Sequence, residues 1–228
     1  MMRTIKQLVI AVLLALTSAL LMNVSVMAQD LGMMPKYGGV QKNEVQLAAD
    51  KEFMADVDKQ FGGDRIKGSE EIANRGWQLV RQGNPRDAMR RFNQAWLLDE
   101  KNGIALWGMA VLQLNGGNIA SSLALYSEAA DLLPDDVNFH TDHAKLMGFA
   151  GAQTKDQALL TSAFEKFAQI AAKVPDNTLN FQNWAITLFY ISDYKQAWQK
   201  VKLAQGTTKR ELIDANFIAA LRAKMPQP

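Results

Sequence analysis

The sequence predicts an all-helical chain in which about four helical hairpins stack into a solenoid, and three observations carry that prediction. The stretch GNPRDAMRRFNQAWLLDEKN at residues 83–102 meets itself when slid forward by 34 residues: Gly83-Asn84 falls on Gly117-Asn118, Phe92 on Tyr126 and Ala95 on Ala129. Helix-start signals recur where each hairpin begins its second helix. Asn84-Pro85 offers an N-cap followed by Pro at the first helical position, and Thr154 with Gln157 and Asp193 with Gln196 have the spacing of capping boxes. On either side of the repeats, apolar residues keep helical rather than alternating spacing.

Residues 1–28 read as a secretory signal peptide. Arg3 and Lys6 precede an apolar run from Leu8 to Leu21, and Val26-Met27-Ala28 supplies small residues before Gln29, which places cleavage after Ala28. Thr17, Ser18 and Asn23 interrupt the run and no basic stop follows it, so release rather than a stable membrane-inserted helix is expected after cleavage; a retained anchor is the alternative. There is no Cys, which removes lipoprotein attachment and disulfides, and a bacterial periplasm or secretion fits best. Without Arg3 and Lys6 the remaining chain carries 23 basic against 23 acidic side chains. A neutral exported protein offers no field for phosphate, so nucleic acid is not an expected partner.

Residues 29–42, with Met33, Met34, Pro35, Gly38 and Gly39, show no periodicity and read as a flexible or extended arm. Within 43–68, Val45, Ala49, Phe53, Val57 and Phe61 recur at helical spacing, and Gly62-Gly63 ends that amphipathic helix before a short loop.

The repeats occupy 69–206. The first unit (69–102), counted from Ser69, places Gly76 at position 8, Leu79 at 11, Ala88 at 20, Phe92 at 24 and Ala95 at 27. The second (103–136) keeps Ala110, Gly117, Tyr126, Ala129 and Pro134 in register, with Gln113 at position 11. The fourth (178–206) places Trp184 at 7, Ala185 at 8, Leu188 at 11, Ala197 at 20 and Ala204 at 27. This pattern resembles the tetratricopeptide repeat, in which helix A of each unit packs on helix B and on the next unit. The third unit (137–177) is irregular: Pro134 and Pro175 lie 41 apart instead of 34, and the seven added residues are expected to enlarge a Gly-bearing loop around Gly148 and Gly151 before a second helix from about Lys155 to Lys173, over a turn longer than its counterparts. Residues 207–228 offer Leu212, Ala215, Ile218, Ala219 and Leu221 on one face, a capping helix and tail for the last exposed surface.

The resemblance implies a protein or peptide partner held in a concave groove lined by helix A. At the groove positions stand Ala73, Trp77, Val80 and Arg81 in unit one, and Ile104, Trp107, Val111, Leu114 and Asn115 in unit two. Unit three contributes Thr141 and Lys145, and unit four Gln182, Ile186, Phe189 and Tyr190. The family members that grip a C-terminal carboxylate use Lys and Asn at positions held here by Ala73 and Trp77, which argues against that mode. Candidate contact residues are therefore Trp77, Arg81, Trp107, Val111, Lys145, Phe189 and Tyr190. A groove filled from within by the 43–61 helix is the competing reading. Trp96, Trp184 and Trp198 fall at packing positions.

Catalytic chemistry finds little support. The sequence has no G-x-S-x-G, no H-E-x-x-H and no P-loop, and a nucleophilic Cys is absent. His140 and His143 could set two metal ligands on one helix face, but positions 4 and 7 pack helix A on helix B and no third ligand lies nearby in sequence. No cofactor is expected. Arg86, Arg90 and Arg91 read as a solvated face, with Asp87 and Arg91 as a favourable pair. The function expected is a non-enzymatic scaffold or adaptor in the cell envelope, with a small-molecule binder using the aromatic groove as the alternative.

Overall fold

The computed structural model describes residues 30–228, with ten α-helices and no strand among them. The expected leader and its cleavage site lie outside these residues. Two 3₁₀ turns, Leu31–Met33 and Pro35–Gly39, precede α1 (Glu44–Phe61), α2 (Arg65–Arg81), α3 (Pro85–Leu98), α4 (Gly103–Asn115) and α5 (Ile119–Ala130). Then come α6 (Val137–Thr154), α7 (Gln157–Lys173), α8 (Thr178–Tyr190), α9 (Tyr194–Gln205), a 3₁₀ turn Arg210–Leu212 and α10 (Ala215–Lys224).

The helices start where the sequence can satisfy their free N–H groups. Asp64, Asn84, Asn102, Asp136, Asp156, Asn177 and Asp193 are N-caps whose side chains accept from the backbone two or three residues into the helix. Such caps contribute about 1 kcal/mol each. At Asp193 the Gln196 amide also donates to the cap carboxylate, at 2.6 Å. Thr154 is not a cap. It is the last residue of α6 and donates to Ala150 O at 2.9 Å, while Asp156 caps α7.

Hairpins α2/α3, α4/α5, α6/α7 and α8/α9 stack so that α2 meets α4 and α6 meets α8, while each second helix also touches the first helix of the next unit. Phe92 is fully buried at the first junction. Its ring lies against both Gly76 and Gly108, where an added Cβ would come within 2.5 Å and 2.1 Å of it. One continuous core runs from Val57 through Phe92 and Tyr126 to Leu146, and further clusters centre on Phe167 and on Trp198 with Leu221.

Three expectations are corrected. The long second helix of unit three is found as α7, of 17 residues, but no enlarged loop precedes it: α6 runs on to 18 residues and joins α7 through Lys155 and Asp156 alone. Gly148 and Gly151 are buried inside α6, because Thr187 and Leu160 approach too closely for a side chain there. The 30–42 segment is packed rather than extended. Fully buried Asn93 donates to Gly32 O at 3.0 Å and Met34 O at 2.9 Å and accepts from Tyr37 N at 3.4 Å. Lys36, Tyr37, Gly38 and Gly39 are successive left-handed residues, so the glycines serve a tight turn instead of mobility. The third correction concerns the capping helix, which buries Leu221 and packs Phe217 and Ile218 inward, leaving Leu212, Ala215 and Ala219 exposed.

The arginines take roles the sequence did not show. Arg90 reaches Asp30 at 2.8 Å and Asp87 at 3.2 Å, and Arg86 lies 3.9 Å from the same Asp30. Thus the like-charged pair is bridged by the N-terminal segment. Arg91 pairs with Gln94, not with Asp87.

Candidate partner-binding groove

Stacking brings Trp77 of α2 and Trp107 of α4 edge to face, with ring centroids 4.8 Å apart and planes at 60°. Trp77 also meets Phe92 at 5.8 Å and donates its indole N–H to Ile104 O at 3.3 Å. Trp107 meets Phe139 of α6 at 5.8 Å, almost perpendicular. The aromatic row therefore crosses three successive first helices. Both indoles are half-buried, packed against each other and against Phe92 and Phe139 of the repeats. Helix α1 packs instead on the start of α2, where Val57 and Phe61 sit over Gly68. It does not fill the groove, contrary to the competing reading.

Asp142 stands beside this row, a residue sequence reasoning passed over because position 6 is not a groove position in the pattern. Burial raises its carboxyl pKa, while Lys145 and the Trp107 indole favour the charged form. The Trp107 N–H is buried and makes no hydrogen bond of sound geometry, so its effect on Asp142 is one of proximity. Burial and the nearby Asp142 also push the Tyr126 phenol far up.

His143 does not face a metal. Its ring stacks on Tyr126 at 5.2 Å and 20°, and burial, with Lys166 and His140 adding charge, pushes its pKa down to about 4. His140 Nε2 lies 3.0 Å from Pro134 O. Among the described residues no group of three or more His, Asp or Glu is arranged to hold an ion.

Residues 79–146 match the tetratricopeptide repeat family, across the end of unit one, unit two and the start of unit three. The chain carries tetratricopeptide repeats over this stretch and folds as a tetratricopeptide-like solenoid. Its fold is similar to that of a thermophilic tetratricopeptide-repeat protein of Thermus thermophilus, at 16% identity and a TM-score of 0.60, over 70% of this chain and 84% of that one. MamA of Desulfovibrio magneticus is similar at 14% identity and 0.53, over 71% and 86% of the two chains. A chain of the APC/C hetero-tetramer Cut9-Hcn1 is similar at 18% identity and 0.55, over 77% of this chain and 32% of that one. At these identities the likeness is one of fold. No curated protein matches the sequence.

The tetratricopeptide register places the remaining candidates unevenly. Ala73 is fully buried at the first of the clamp positions, so that position presents no cation. Arg81 and Lys145 are exposed and Val111 is half-buried. At the far end the chain covers its own groove: Phe189 packs on Phe217 at 6.0 Å and on Tyr194 at 5.6 Å, and Gln182 accepts from Asp214 N at 2.6 Å. Tyr190 stays 50% exposed, its edge on Phe149 at 5.9 Å. Phe189 is thus a cap-packing residue, and Trp77 and Trp107 are the pair that the fold brings together. Trp184 and Trp198 are structural, the first stacked on Phe167 at 5.9 Å and the second 4% exposed.

Proposed function

We propose that this protein is an exported scaffold that holds a protein or peptide partner along the concave face of its first two repeats. The Trp77–Trp107 pair carries the reading. Two indoles half-buried by their own repeats present rigid aromatic surface that costs little rotamer entropy to order, the property that makes Trp frequent at binding hot spots. Val111, Arg81 and Lys145 add an apolar and cationic surround. The protein-binding role of the repeat supports the class of partner, and the residue 1–28 leader and the lack of Cys support export to the envelope.

A photo-crosslinking side chain at Val111, compared in cells with one at Gln94 on α3, tests the site. A discrete adduct at Val111 alone is expected, and Trp107→Ala should weaken the association by on the order of 2 kcal/mol. Adducts at Gln94 alone would move the surface to the convex side. An N-terminal sequence beginning at Met1 would overturn export and release, for which Gln29 is the expected first residue.

A further inference from the structure

The two ends of the solenoid are half-hairpins of opposite kind. Helix α1 packs on α2 as α3 packs on α4, in the manner of a second helix, yet among the described residues no first helix precedes it. Helix α10 packs on α9 and reaches α8 through Phe217, as a first helix does, and no second helix follows it among those residues.

The two end regions differ in charge, with Asp50, Asp58 and Glu71 of the first already paired with Lys42, Arg65 and Arg75. Between residues 44 and 71 there are eight acidic against four basic side chains, and between residues 195 and 224 seven basic against two acidic. None of those seven basic side chains forms an ion pair among the described residues. The exposed side of α1 carries Val45, 79% exposed, with Ala48, Glu52, Ala55 and Asp56. The exposed side of α10 carries Ala219, Ala220 and Ala223 with Arg222 and Lys224. Small residues let a second helix approach closely, and the flanking charges are complementary.

We infer that copies of this chain join head to tail, α1 of one copy lying on α10 of the next so that the two complete a hairpin across the junction. The contact is heterologous, so it propagates into an open series instead of closing at a two-fold dimer. It uses the ends of the solenoid and leaves the Trp77–Trp107 groove of each copy clear, so it is independent of the partner proposed above.

Two charge-reversed variants test it, Glu52→Lys with Asp56→Lys at the head and Arg222→Glu with Lys224→Glu at the tail. All four side chains are exposed, so circular dichroism and melting should match the parent protein. In sedimentation velocity the parent is expected to form a concentration-dependent series that shrinks with added salt. Each variant alone should associate on the order of a hundredfold more weakly. Mixed together, the two offer an intact tail to an intact head and a reversed tail to a reversed head, both complementary in charge, and should regain the association that neither shows alone. A parent that stays monomeric at every concentration overturns the inference. So does a two-fold dimer that the reversals leave intact, or two variants that do not combine when mixed.

Discussion

At the crossing of α2, α3 and α4, the fully buried ring of Phe92 occupies the space left by Gly76 and Gly108, whereas at the crossing of α6 with α8 it is Thr187 that comes over Gly148. A similar contrast holds for the buried hydroxyl at the start of a unit. Ser69 donates to Ala95 O at 2.7 Å and accepts from Asn102 at 2.7 Å. In unit four Thr178 reaches the corresponding Ala204 carbonyl only through Thr207, by contacts of 2.6 Å each. The repeat specifies where backbones must approach and where a carbonyl needs a donor. The regular half fills the close approach with an aromatic ring and reaches the carbonyl with one serine hydroxyl, whereas the expanded half uses a threonine at the approach and a relay of two threonines at the carbonyl.

Breaking the crossings should separate the halves most strongly. Gly108→Ala would set a Cβ 2.1 Å from Phe92 Cζ, with no free space for the ring, and should cost about 3 kcal/mol or more in denaturant unfolding. Adding Phe92→Ala should not restore stability, since truncating a buried Phe costs about 3–5 kcal/mol itself. Gly148→Ala should instead be rescued in large part by Thr187→Ala, which removes the Oγ1 and Cγ2 atoms at 2.3 and 2.7 Å and leaves Cβ at 3.1 Å. Equal rescue in both pairs would remove the distinction.

Acid should act on unit three. His143 is held neutral in the fold with its pKa pushed down to about 4, below the unfolded value near 6.5. The unfolded chain therefore binds the proton first, and stability falls as pH drops from about 6.5 to 4, by up to about 3 kcal/mol. Asp142 works in the opposite sense, because its raised pKa makes the folded state take up a proton first. Comparing the parent with His143→Gln over this window isolates the histidine: the variant should lose that part of the slope. An unchanged slope would show that His143 titrates freely.

The smallest effect is expected at the N-terminal segment. Asn93→Ala removes all three hydrogen bonds that seat residues 32–37 on α3 and should cost about 2 kcal/mol. Hydrogen exchange should show the loss concentrated at residues 30–40. Protection there equal to the parent's would mean that the ion pairs of Asp30 with Arg90 and of Lys36 with Glu128 hold the segment unaided.

Much of the helical scaffold could be read from local rules. The Asn84-Pro85 start and the αL glycine at Gly62 follow from interactions within a few residues, and the 34-residue register shows as a recurrence along the chain. The aromatic pair was legible too, since Trp77 and Trp107 sit at groove positions of a repeat whose period is known. Residues whose partners are distant were not legible. Asn93 looked like one more polar residue on α3, and only the folded chain brings residues 32–37 to it. Asp142 had no local feature to mark it, although an indole N–H beside it needed an acceptor.

The sequence by itself determined that the chain stacks helical hairpins and where most of them begin, because the period shows as a recurrence along the chain and capping is written in neighbouring residues. Only the tertiary structure decided that α6 runs on through Gly148 and Gly151 in place of a loop, that Phe189 is covered by α10, and that α1 leaves the groove clear. Those outcomes depend on which apolar face meets which, across tens of residues. A helical pattern permits several such matches, and packing selects the one that fills space and satisfies the buried polar groups.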